Sequence, residues 1–217
     1  MISRRRIICF ILSAILLPSC ALLLDSAPER VVRVRALADP ALRERNPRWD
    51  EELRARVQAA SDYFEREFDI RFVTQSAGAW PARERVASTA ALLVDVKQEF
   101  PAQKKAGAYD LIIAFMGESV SRYAVSGRPR VDRIGDCRDG LGSYVVTSAG
   151  QTFRSGASRA GLDYETAALI HELGHIFGAE HVKDSNSIMN ENFDSRDDFD
   201  RKNRAVILRN KLCPFAR

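Results

Sequence analysis

The 217 residues carry 33 Lys and Arg against 29 Asp and Glu, but Arg4, Arg5 and Arg6 fall in the first twenty, which hold no acidic residue. The remainder balances at 30 against 29. Its charges are interspersed without an aromatic stacking pattern, which argues against a nucleic-acid partner. The roughly 190 residues beyond the leader suit one domain with a single cleft, and no internal repeat or low-complexity linker divides them.

In chain order, the three arginines precede an apolar run over residues 7–17, the n-region and h-region of a secretory signal, so export is expected. Leu17-Pro18-Ser19-Cys20 resembles a bacterial lipobox, whose cysteine is acylated and becomes the new N-terminus. Pro18 departs from that pattern, as does the apolar stretch 21–24 beyond the cysteine. The alternatives are cleavage without a lipid, or an uncleaved anchor over residues 7–24, whose 18 residues are near the short limit for spanning a bilayer. Residues 1–20 are thus read as the signal, 21–30 as a short tether and 31–217 as the folded domain.

Residues 31–37 alternate apolar and charged side chains as a half-buried strand does. Asn46-Pro47 offers an N-cap followed by proline at the first helical position. Trp49, Leu53, Val57, Ala60, Phe64 and Phe68 then recur at steps of three and four, predicting a long amphipathic helix. A second strand is expected over 70–74, a second helix over 86–100 ended by Pro101, and a buried strand over 111–116. This β-α-β-α-β order implies an α+β fold with a mixed sheet backed by helices. Two further short strands are expected over 131–138 and 143–147, separated by the turn Asp139-Gly140-Leu141-Gly142. Asp163 is placed to cap a helix over 164–177, and residues 199–212 form a closing helix. Arg128, Arg130 and Arg133 form either a local basic patch or a plain solvated loop.

Of the four cysteines, Cys9 lies in the leader and Cys20 is the candidate acyl site, leaving Cys137 and Cys213. A pair in an exported domain suggests a disulfide, with two unrelated buried thiols as the alternative.

All three histidines fall in the string His171-Glu172-Leu173-Gly174-His175-Ile176-Phe177-Gly178-Ala179-Glu180-His181. On a helix, His171 and His175 sit one turn apart on one face and can aim at a single point. Glu172 is rotated roughly 100° from His171, placing it as a base beside a metal-bound water and not as a ligand. Gly178 permits a sharp exit from the helix, which brings round His181 as third ligand. Three protein ligands leave one position on zinc for water, the arrangement of a catalytic site.

The string resembles the H-E-x-x-H-x-x-G-x-x-H signature of the metzincin clan of zinc metallopeptidases, which a methionine turn follows beneath the metal. Ser187-Ile188-Met189-Asn190 begins six residues past His181, so Met189 matches that turn. The likeness is strong over about residues 163–190 and architectural elsewhere. It implies a metzincin-like zincin: a twisted mixed sheet with backing helices, an active-site helix, and a short C-terminal subdomain carrying the turn. It also implies one catalytic Zn²⁺ on His171, His175 and His181, Glu172 as the base, and the strand over 131–138 as the edge to which an extended peptide pairs. Astacin-like and serralysin-like members have a tyrosine shortly after the methionine. Here Asn190, Glu191 and Asn192 follow, so no tyrosine switch is expected. Matrix metallopeptidases use further histidines for a structural zinc, and this chain has none to spare; Gly127-Arg128-Pro129-Arg130 also lacks the cysteine of a cysteine switch. No branch of the clan is assigned on these residues. The expected protein is a monomeric zinc endopeptidase acting on exported or envelope-exposed polypeptides, tethered to the membrane if Cys20 carries a lipid. The alternative is a non-catalytic zinc-holding envelope lipoprotein that binds a partner through the cleft, against which the presence of Glu172 argues.

Overall fold

The computed structural model describes residues 30–81, 88–101, 109–117, 130–149, 163–191 and 198–216. The leader, Cys20 and the tether up to residue 29 lie outside them, as does Arg128. No helix among the described residues is long and apolar enough to cross a membrane.

The described residues open with strand β1 (Arg30–Ala38), whose far end is wholly buried. Asp39-Pro40 then starts a short helix, α1 (Pro40–Arg45), that the sequence reading did not anticipate. Six residues are too few to show a helical period, so its only signal is the cap: Asp39 accepts from the N–H of Leu42 at 2.8 Å. This helix also corrects the expected role of Asn46. Asn46 closes α1, its backbone N–H donating to Leu42, and Arg48 stands at the N-cap of the long helix α2 (Trp49–Phe68). The Asn46 side chain still serves that start, accepting from the Arg48 N–H at 2.9 Å and donating to Glu52 at 2.7 Å. Asp50, Glu51 and Glu52 in the first turn complement the positive end of the helix. α2 stops at Asp69, which takes a left-handed conformation with φ 53°.

Strand β2 (Ile70–Ala79) runs five residues beyond the expected span, because β1 keeps pairing with it after a bulge between Val34 and Arg35. Helix α3 (Thr89–Glu99) is capped by Ser88, and residues 86 and 87 lie outside the described ones. Strand β3 (Leu111–Met116) is buried throughout, as its apolar run predicts.

The expected strand over 131–138 shrinks to β4 (Arg130–Val131). The reason is Asp132, whose carboxylate accepts from the N–H groups of Ser143 and Tyr144 at 3.0 and 3.1 Å and so replaces the ladder. Strand β5 (Tyr144–Ser148) follows, then helices α4 (Tyr164–Ile176) and α5 (Arg201–Asn210). α5 is two residues shorter at each end than expected, with Asp200 as its cap.

Among the described residues the strands form one five-stranded sheet in the order β2-β1-β3-β5-β4. The first four are parallel and β4 runs antiparallel at the edge, so the sheet is mixed. Leu92 and Val96 of α3 pack with Trp80 on one face, against Ile112, Ala114 and Val146. Helices α2 and α4 cover the other face. There an aromatic cluster joins α2, β2 and the end of α4 to the C-terminal segment: ring centroids lie 5.3 Å apart for Phe64 and Phe72, 6.0 Å for Phe64 and Phe199, and 6.3 Å for Phe72 and Phe177. The end of the histidine-bearing helix is thereby fixed to the core.

Cys137 and Cys213 are joined by a disulfide, with Cα atoms 5.1 Å apart and a sequence separation of 76. It ties the loop after β4 to the chain beyond α5. By loop-closure entropy such a link stabilises the fold by about 4 kcal/mol. Cys213→Ser is expected to lower the unfolding free energy in urea by about that amount, whereas an unchanged midpoint would show that the bridge does not form in solution.

Candidate metal centre

The α4 helix begins at Asp163, whose carboxylate accepts from the Thr166 N–H at 2.8 Å and from its hydroxyl at 3.0 Å. Every residue from Thr166 to Ile176 is buried. A helix enclosed on all sides must let its neighbours come close, and Gly174 is where they do. A Cβ at this position would lie 2.7 Å from Phe199 Cε1 and 3.0 Å from Met189 Sδ. The floor of the site therefore touches the helix backbone.

The chain leaves the helix through Gly178, just past the C-cap Phe177, at φ 94°, a conformation that favours glycine. The N–H groups of Gly178 and Ala179 return to His175 and Gly174 carbonyls at 3.0 Å each. What holds the exit path is α5. Asn203 accepts from the Glu180 N–H at 3.0 Å and donates to the Glu180 carbonyl at 2.9 Å, while Asn210 donates to the Phe177 carbonyl at 3.0 Å. Both groups of the residue before His181 are thus clamped by one buried amide.

The consequence is a set of three converging imidazoles. The Nε2 atoms of His171, His175 and His181 lie 3.2 Å apart in every pair. The Nδ1 of His171 faces the Ile188 carbonyl and that of His175 faces the Ala179 carbonyl, both at 2.6 Å. A carbonyl can only accept, so both Nδ1 atoms carry the proton and both Nε2 atoms present bare lone pairs. Lone pairs so close repel unless a cation lies between them. A tetrahedral zinc with Zn–N near 2.05 Å places its nitrogens about 3.3 Å apart, so the donor set fits that ion. Burial drives the pKa of His175 down to about 4, with His181 also lowering it against the pull of the Ala179 hydrogen bond. The ring is therefore neutral and able to ligate at neutral pH.

Glu172 lies beside the triad, its Oε1 4.0 Å from His171 Nε2. Burial pushes its carboxyl up to about 8, opposed by the positive field of Arg130 on the edge strand. A divalent cation in the triad would favour the carboxylate instead.

Met189 is fully buried beneath. Its N–H donates to the Ser187 hydroxyl at 3.1 Å, and that hydroxyl donates to Asp200 at 2.8 Å. Burial opposes ionisation of Asp200, but hydrogen bonds from the Asn203 N–H, the Ser187 hydroxyl and the Asn203 amide outweigh it and hold the carboxyl below its usual range. One carboxylate thus caps α5 and braces the methionine turn.

The structure brings together His171, Glu172, His175, Gly178, His181 and Met189, all singled out from the sequence. Arg133 instead donates to the Asp139 carbonyl at 3.0 Å, which stabilises its own loop. Cys20 lies outside the described residues. Sequence reasoning missed Asn203, Asn210, Asp200 and Phe199. Asn203, Asp200 and Asn210 bond to partners 13 to 33 positions away, and Phe199 packs against the still more distant Phe64, separations that no helical or strand period marks.

Residues 28–209 match the family model of metallo-peptidase family M12. The chain belongs to this family. It is accordingly a zinc metallopeptidase, and the M12 match supplies an assignment that the motif alone leaves open. Among solved structures, archaemetzincin from Methanopyrus kandleri aligns with 87% of this chain and 98% of its own, at 20% identity and a TM-score of 0.53. A chain from the structure of a chaperone–substrate complex aligns over 85% of this M12 peptidase but 34% of its own length, at 11% identity and a TM-score of 0.58. At such identities both establish likeness of fold alone, which is the metzincin architecture. No curated protein matches the chain in sequence.

Proposed function

We propose that this M12 peptidase is an endopeptidase of exported or envelope-exposed polypeptides, with His171, His175 and His181 holding zinc and Glu172 serving as the general base. The observation that carries this reading is the meeting of three Nε2 atoms, 3.2 Å apart, with a buried carboxylate 4.0 Å from one of them. Zinc bound there would polarise the scissile carbonyl and bring the pKa of a coordinated water toward about 7.

The chain's own residues do the rest. Glu172 accepts the proton of the attacking water and returns it to the leaving amine. Its burial keeps bulk water from competing for that proton. Main-chain carbonyls on His171 and His175 hold the rings in the ligating tautomer. Strand β4 sits at the end of the sheet order, paired with β5 on one side, and its other edge can take an extended peptide by backbone hydrogen bonds.

Export is supported by the basic, apolar leader and by a disulfide that suits an oxidising compartment. Acylation at Cys20 would tether the domain at the envelope through a short leash. Intact-mass analysis of the mature chain checks this: a lipidated Cys20 at the N-terminus is expected. An unmodified N-terminus after residue 20 would mean free secretion, and a retained Met1 a membrane anchor.

Turnover of a mixed peptide library tests the activity. Cleavage is expected with the zinc-loaded protein, to stop on chelation and to return with zinc. Stoichiometric zinc without cleavage of any peptide would favour a binding lipoprotein over an enzyme.

A further inference from the structure

The three histidines are not held alike. His171 and His175 are buried, and each has its Nδ1 pinned to a main-chain carbonyl at 2.6 Å. His181 comes from the chain beyond the helix, and its side chain is 48% exposed. The group that faces its Nδ1 is a carboxylate: Glu191 Oε1 lies 3.5 Å away. A ligand on an exposed segment has the most rotational freedom to lose on metal binding, so whatever aims its ring matters most there.

The backbone makes the pairing reproducible. Val182 donates to the Met189 carbonyl at 3.1 Å, Asn190 donates to Ser187 at 3.0 Å, and the Asn190 amide donates to the Val182 carbonyl at 3.2 Å. The first and third of these bonds join the residue after His181 to the turn that ends just before Glu191, and the second closes that turn. The two side chains therefore stand opposite each other on two fastened segments, with the buried floor of Met189 below.

We propose that Glu191 is a positioning residue for the third ligand, its carboxylate accepting from the Nδ1–H of His181 so that Nε2 points inward and donates more strongly to the metal. A cation on Nε2 draws electron density from the ring and makes Nδ1–H a better donor, so the 3.5 Å separation is expected to close to hydrogen-bond length when the site is filled. A carboxylate adds what the two carbonyls cannot, a full negative charge next to the dication. The exposed ligand, held by less packing, would thus be compensated by charge.

This inference rests on the reading of the triad as the zinc site, and the test separates the two. The zinc dissociation constant is measured by chelator competition for the wild type, Glu191→Ala and Glu191→Gln, with no substrate present. Loss of an outer partner of a metal-bound histidine weakens binding about 10- to 100-fold, and that is the loss expected for Glu191→Ala. Glu191→Gln retains an acceptor without the charge and should fall between. In a His181→Ala background, Glu191→Ala should add nothing, because its only route to the metal is gone. Unchanged thermal midpoints of the metal-free proteins would show that the variants fold. Wild-type affinity in Glu191→Ala overturns the inference and leaves the zinc site standing. A further loss in the His181→Ala background also overturns it, since Glu191 would then reach the metal directly. Failure of the wild type to bind one zinc would overturn both.

Discussion

Replacing Glu172 by alanine is expected to leave a protein with its full zinc content and peptide turnover lowered by about 10²- to 10⁴-fold, the usual contribution of a positioned general base. Zinc content should survive because the three Nε2 atoms and the carbonyls behind two of them are untouched. The rotation of Glu172 away from the ligand face of α4 explains the split between binding and chemistry. Because the side chain is buried, Glu172→Gln is the companion variant: it fills the same space and keeps hydrogen-bonding capacity without a proton acceptor. Both variants should lose kcat and kcat/KM together, the signature of an interaction made in the transition state. Metal analysis alongside steady-state kinetics decides the matter. Near-normal turnover at full zinc occupancy would remove Glu172 from the mechanism.

His181→Ala should be as damaging through a different route. With two histidines left, both on one helix, zinc affinity is expected to drop by more than about 100-fold, beyond the cost of losing an outer partner. Activity should fall with it. Two carboxylates near His181 in sequence face other partners: Glu180 pairs with Lys202 at 3.3 Å, and Asp184 accepts from the Asn186 N–H at 2.9 Å. Dialysis of the variant against a weak chelator, followed by metal analysis, is the check. Stoichiometric zinc afterwards would show that another side chain, such as Glu180, Asp184 or Glu191, fills the third place.

The fates of the two variants trace back to different kinds of information in the chain. The relation of His171, Glu172 and His175 is a property of the helix itself, and the 3.6-residue turn makes it legible from spacing. The arrival of His181 is legible only in part. Gly178 signals that the chain turns, and the turn does occur at φ 94°. Its direction depends on Asn203 and Asn210 of α5, neither of which has a pattern of its own. The fold divides in the same way. The period of α2 and the apolar run of β3 appear where expected, whereas α1 is too short to show a period and the strand after Val131 gives way to the Asp132 carboxylate.

By itself, then, the sequence determined what local geometry can encode: the ligand pair and base on α4, the cap at Asp163, the alternation of strand and helix, and the two cysteines available to pair. Tertiary structure alone decided the rest. It brought Met189 and Phe199 against the bare backbone at Gly174, closed the Nε2 triangle to 3.2 Å, set Glu191 opposite His181, and ordered the sheet with β4 at its edge. The physical reason is the range of the interactions. Backbone periodicity repeats within a turn or a pleat and leaves its mark in neighbouring residues, while a hydrogen bond or packing contact between distant segments depends on how the whole chain has already collapsed.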